Sequence, residues 1–169
     1  MKPNITPTNT ETKLNNEDFI VSKTDAKGII TYCNQIFIDI SGYSEKELIG
    51  QQHNIIRHPD MPRAVFYRLW QTIQKGDEFF GYVKNLRKDG GYYWVYANVT
   101  SRLAQSKGYH SVRRKPSQQV IDMISPIYTR MLAEEKQVGA KDAIAASSAI
   151  LDSSLADLGT NYEEFSRDY

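Results

Sequence analysis

The chain has 169 residues, with 21 basic and 20 acidic side chains and a net charge of +1. That length holds one domain of about 100–130 residues plus an appendage. The balanced charge excludes a global electrostatic drive toward nucleic acid or anionic membrane. A single cysteine, Cys33, excludes an internal disulfide and fits a reducing compartment. It lies in the apolar run Ile29-Ile30-Thr31-Tyr32-Cys33 and reads as a buried, inert thiol. No apolar run approaches the ~20 residues of a membrane span, and the N-terminus lacks a signal-peptide core. A soluble, cytoplasmic protein is expected.

Residues 1–17 are rich in Asn, Thr, Lys and Pro, with almost nothing to bury, and read as a flexible leader. The folded domain is expected over 18–116. It begins with strands at Phe19–Thr24 and Ile29–Asn34, split by the turn Asp25-Ala26-Lys27-Gly28. Asn34 opens a short helix through Ile40, closed by Gly42. Ser44, with Glu47 as capping-box partner and Gly50 as the stop, marks another helical turn. The spacing of Val65, Phe66, Leu69, Trp70 and Ile73 predicts a helix over Arg63–Lys75, ended by Gly76.

Three strands follow. Phe79–Arg87 and Tyr92–Thr100 flank Lys88-Asp89-Gly90-Gly91, a hairpin turn signal. Tyr109–Arg113 is the last, reached through Ser106-Lys107-Gly108. This order predicts an α+β fold: a five-stranded antiparallel sheet with helices on one face and room for a small ligand between the layers.

Two stretches carry the chemistry. Asn54-Ile55-Ile56-Arg57-His58-Pro59-Asp60-Met61-Pro62 is a short, rigid polar loop leading into the long helix. Tyr82-Val83-Lys84-Asn85 sets one amide in an otherwise apolar and aromatic strand. A loop facing such a strand can grip a planar heteroaromatic ligand. Asn85 offers both donor and acceptor to a heterocycle, and Asn is depleted in strands; Asn98 on the paired strand is a similar candidate. Arg57 can pair with phosphate or with Asp60, and Asp60 can instead cap the following helix. His53 and His58 find no third metal ligand at a suitable spacing. Trp70 and Phe66 share the apolar stripe, with core packing as their default.

The run Ser41-Gly42-Tyr43-Ser44-Glu45-Lys46-Glu47-Leu48-Ile49-Gly50 resembles the helix-to-helix signature of PAS domains. The stretch from Gln52 to Pro62, with Phe66, Leu69-Trp70, Lys75-Gly76, Val83-Lys84-Asn85, Tyr93-Trp94-Val95, Ala97-Asn98 and Gly108-Tyr109, closely resembles the PAS domain of bacterial aerotaxis receptors over roughly residues 18–116. That resemblance implies the PAS fold, non-covalent binding of FAD, and redox signalling to a partner protein or output domain. The candidate cofactor contacts are then Asn85, Asn98, Arg57, His58, Asp60, His53, Asn34, Trp70 and Phe79. Two departures stand out. Phe79 occupies a position where such receptors commonly carry tryptophan, and the connection from Asn98 to Gly108 is shorter than theirs.

From Ser117 the chain turns helical. Val120, Ile121, Ile124, Ile127, Tyr128 and Met131 make one apolar face, interrupted near Pro126. After Gly139 a seam of Ile144, Ser148, Leu151, Leu155 and Leu158 follows, short for a coiled coil but able to pack on the domain or on a second chain. No phosphate loop, nucleophile elbow or paired catalytic carboxylates occur, so no enzyme is expected. The expected function is a cytoplasmic redox or oxygen sensor of the aerotaxis kind, signalling through its C-terminal helices. The alternative is a PAS interaction and dimerisation module with an empty pocket or another small ligand.

Overall fold

A computed structural model describes residues 2–102 and 107–168. Strands β1 (Phe19–Asp25), β2 (Ile30–Cys33), β3 (Phe79–Leu86), β4 (Tyr92–Ser101) and β5 (Gly108–Arg114) form one antiparallel sheet in the order β2-β1-β5-β4-β3. Between β2 and β3 lie α1 (Gln35–Ser41), α2 (Glu45–Leu48), a 3₁₀ turn at His53–Ile56, and α3 (Arg63–Gln74). Residues 103–106, within the connection expected to be shortened, lie outside the described residues.

Strand alternation gives the sheet two working faces. Along β4, Tyr93, Val95, Ala97 and Val99 are buried toward the helices, while Trp94, Tyr96 and Asn98 point the other way. The expected caps are present. Asn34 Oδ1 accepts from Phe37 N at 3.2 Å, and Ser44 with Glu47 closes a capping box. Phe37, Ile20 and Leu48 are fully buried between sheet and helices.

The structure departs from the leader reading of residues 1–17. Within that segment, residues 8–12 lie along the β3–β4 turn, where Thr8 N donates to Gly90 O and Tyr92 N to Thr10 O at 2.8 and 2.9 Å. Leu14 is buried in the core. Polar composition hid this packing, because it rests on backbone bonds together with a few side chains, Leu14 and Ile5 on the core and Thr12 Oγ1 accepting from Arg87. Gly90 is required there: its φ is +93°, and a Cβ would strike the Thr6 carbonyl.

The tail folds as α4 (Gln118–Val138), α5 (Ala143–Asp157) and α6 (Tyr162–Asp168). Helix α4 continues through Pro126 and buries the whole anticipated face, including Ile127, Tyr128 and Met131 beyond the proline. It covers the outer sheet face, with Tyr128 stacked on Trp94 at 6.2 Å. The α5 seam is shifted from the heptad reading. Ala143, Ser147, Leu151 and Leu155 are buried, Ile144 and Ser148 are only partly so, and Leu158 is exposed. The shift brings the Ser147 hydroxyl onto a buried carboxylate of α4, Glu135. Among the described residues, no helix is long and apolar enough to cross a membrane.

Candidate functional site

A cavity of about 210 Å³ lies between the inner sheet face, the 3₁₀ turn and α3. An apolar cavity of about 150 Å³ suffices to hold a single aromatic ring. One side is an apolar wall of Ile56, Phe66, Leu69, Trp70 and Ile73, and the other is Val83, Val95, Ala97 and Val99. Helical spacing on α3 and alternation on β3 and β4 present these walls to each other. The Trp70 indole meets Tyr109 edge-on at 5.5 Å.

Four of the sequence-derived candidates line this space: Asn85, Arg57, His53 and Trp70. Asn85 is 3% exposed on edge strand β3, and its backbone bridges to Arg57. That bridge seats the 57–61 loop along the strand. The Arg57 guanidinium lies over the Phe66 ring at 4.0 Å.

Five candidates lie elsewhere. Asn34 spends its amide on the fold: Oδ1 accepts from Val21 N and Phe37 N, and Nδ2 donates to Phe19 O. Asn98 is on the outer face, with Nδ2 donating to Glu78 Oε1 at 2.7 Å, because it sits out of phase with Ala97 and Val99. Phe79 packs on Tyr162 of α6 at 6.3 Å and does not reach the cavity. His58 and Asp60 stand outside the cavity wall, beside β3. Asp60 does not cap α3; it pairs with Lys84 Nζ at 2.9 Å. Burial opposes its ionisation, but the Lys84 ammonium wins and holds the Asp60 carboxyl below its usual range.

Sequence reasoning missed Arg113 and Ser22, which form one cluster with His53. Arg113 is 3% exposed, yet among the described residues it pairs with no carboxylate. Its Nη1 donates to His53 Nε2 and its Nη2 to Ser22 Oγ, both at 2.9 Å, while Nε is buried without a partner. Burial lowers its pKa to about 10, so it stays protonated at neutral pH. The only available signal was strand phase: Arg113 and Ser111 lie on alternate, inward positions of β5.

His53 must be neutral to accept from Arg113. Burial first, and the Arg113 charge second, push its pKa down to about 3. His58 is pushed to about 4, by burial and then by Lys84, with Asp60 opposing. A depressed histidine contributes nothing above the unfolded value of 6.5, and its burden grows as pH falls below it. His53 alone should therefore cost ~2 kcal/mol of stability at pH 5 relative to pH 7. Urea unfolding at the two pH values checks this. His53→Asn should show a smaller loss, and a wild type equally stable at both would contradict the assignment.

Residues 30–112 match the PAS fold family. The chain is 41% identical over 128 residues to the aerotaxis receptor of Escherichia coli strain K12, covering 75% of this chain and 25% of the receptor. It is 34% identical over 80 residues to the nitrogen fixation regulatory protein of Klebsiella pneumoniae, covering 47% of this chain and 16% of that protein. The chain thus spans about a quarter of the receptor's length. Among solved structures, the LOV domain of the Erythrobacter litoralis EL346 blue-light activated histidine kinase has a TM-score of 0.54 at 19% identity, covering 59% of this chain and 97% of that domain. The dark structure of the blue-light photoreceptor Aureochrome1 LOV has a TM-score of 0.52 at 21% identity, covering 72% and 86%. At such identities the likeness speaks to fold alone.

Proposed function

Because this chain carries a PAS domain of the kind found in aerotaxis receptors, we propose that it is a redox sensor that holds FAD non-covalently and signals through its C-terminal helices. The observation that carries this reading is the composition of the cavity: two apolar walls whose lining also holds the buried amide of Asn85 on β3 and the buried guanidinium of Arg113 on β5. A flavin needs a dry slot for its ring and hydrogen bonds along its polar edge. Arg113 Nε, buried without a partner, is a donor still to be used.

Bound flavin would supply redox chemistry, with a ring nitrogen that gains a proton on reduction. Asn85 can answer such a change by turning its amide over, since its oxygen accepts and its nitrogen donates. The apolar walls exclude water, and His53 and Ser22 hold Arg113 in place. The signal would then pass along β3 and α3 toward the tail, whose output partner is a downstream protein or a second copy of the chain.

The test is a fluorescence titration with FAD and, separately, FMN. Asn85→Ala should weaken FAD binding about tenfold, the loss of one to two hydrogen bonds. It should also abolish any redox-dependent change in the tail. Full binding and an unchanged redox response in the variant would sink the role given to Asn85.

A further inference from the structure

Helix α3 walls the cavity, yet nothing in its own neighbourhood caps it. Pro62 precedes it and offers no side-chain acceptor. The cap comes instead from the tail. The Glu135 carboxylate of α4, 6% exposed, accepts from Arg63 N at 3.0 Å and Ala64 N at 3.2 Å. Ser147 of α5 donates to the same carboxylate at 3.1 Å. An acid at a helix N-terminus satisfies orphan amides and complements the helix dipole. Here that acid belongs to a different structural layer.

A second contact closes on the other wall. Strand β3 is a sheet edge, where outward N–H and C=O groups lack strand partners. At Tyr82 two tail hydroxyls serve both. Tyr82 N donates to Tyr162 Oη at 3.3 Å, Tyr162 and Tyr128 hydroxyls meet at 2.8 Å, and Tyr128 Oη donates to Tyr82 O at 2.8 Å. With those two directions set, Tyr162 donates to Tyr128, and the ring of bonds closes. Tyr82 thereby ties α4 and α6 to the strand that also carries Val83 and Asn85 into the cavity.

We propose that α4–α6 is a docked output unit held by these two latches, Glu135 on α3 and the Tyr128–Tyr162 pair on β3, and that ligand in the cavity tightens the dock. The ligand's part rests on the sensor reading above; the latches do not. Both latches are directional bonds to backbone of 2.8–3.3 Å, and a displacement of about 1 Å of either wall breaks them. Coupling of this kind is reciprocal, so weakening a latch must also weaken ligand binding. Release would bare the aromatic outer face of Tyr82, Trp94 and Tyr96, which the tail now covers.

Hydrogen exchange on the full chain tests this, with and without FAD, in wild type, Glu135→Ala and Tyr162→Phe. In Glu135→Ala the amides of Arg63, Ala64 and α5 should exchange at least tenfold faster, with β1, β4 and β5 changed less than twofold. Tyr162→Phe should free α6 but leave the α3 amides protected. FAD should slow exchange in α4–α6 of the wild type at least threefold, and less in either variant. Tail exchange unchanged in both variants overturns the latches. A wild type that binds FAD with no change in tail exchange overturns the coupling. A wild type that takes up no FAD sinks the sensor reading and the coupling together, and the variants still decide the latches. If Glu135→Ala loses protection throughout the sheet, Glu135→Gln, which keeps shape and removes charge, is read in its place by the same criteria.

Discussion

An Arg113→Met variant is expected to melt higher than the wild type when ligand-free, and to lose flavin affinity by about 100-fold. The two effects have one cause. Arg113 is buried and charged without a carboxylate partner, and its Nε is unsatisfied. Even a buried ion pair can be replaced by apolar residues of similar volume at no cost or with a gain of about 1–4 kcal/mol. A buried charge without a carboxylate partner has the same desolvation penalty and less to offset it. The residues left behind are not stranded, because Ser22 Oγ and His53 Nε2 already lie 3.0 Å apart and can satisfy each other. What is lost is a charged donor in the cavity. Hydrogen bonds from charged groups are worth roughly 1.5–3 kcal/mol each, hence the two orders of magnitude. Differential scanning fluorimetry of ligand-free protein, paired with a flavin titration, reads both. A variant that melts well below the wild type would make Arg113 a structural residue, and undiminished affinity would remove it from the site.

Phe37→Ala is expected to cost about 3–5 kcal/mol of stability, the usual range for deleting a fully buried phenyl ring. Phe37 is completely buried on α1. Its ring supports the Arg113 guanidinium at 4.7 Å and lies 5.8 Å from the His53 ring. The cavity left behind would sit directly under the Arg113 cluster, so flavin affinity should fall as well. Urea unfolding checks the first effect. A loss below about 1 kcal/mol, well under what such sites show, would contradict the place given to Phe37 in the core.

Much of the fold is legible in the chain because local chemistry and tertiary packing agree. The Ser44–Glu47 box, the Asn34 cap, the stripe of α3 and the glycine turn after β3 each lie within a few residues of where the pattern puts them. The failures are of another kind. The N-terminal segment is held by backbone bonds at Thr8, Thr10 and Thr12 and by two isolated apolar side chains, Ile5 and Leu14, too sparse to make a periodic pattern. In α5, Leu151 and Leu155 keep their buried face, but it continues toward the N-terminus through Ser147 and Ala143 at four-residue spacing and not through Ser148 and Ile144.

The site was read from residue type, and strand phase decided it. Asn85 and Asn98 look alike in sequence, yet one faces the cavity and the other faces Glu78. Asn34 is an amide fully engaged in capping. Phe79 stands where a larger aromatic was expected to serve a ligand, and α6 has taken it as a packing surface. Arg113 was overlooked because an arginine near a strand end reads as exposed. Only the alternation along β5 turns it inward.

The decisive measurement is the absorption spectrum of freshly purified protein, followed by identification of the chromophore released on heating. The expected result is the two-banded spectrum of oxidised flavin, with FAD in the supernatant. A colourless protein that stays colourless after incubation with FAD and removal of the excess would contradict a flavin sensor, and would turn attention to the cavity as a packed or differently filled core of an interaction module.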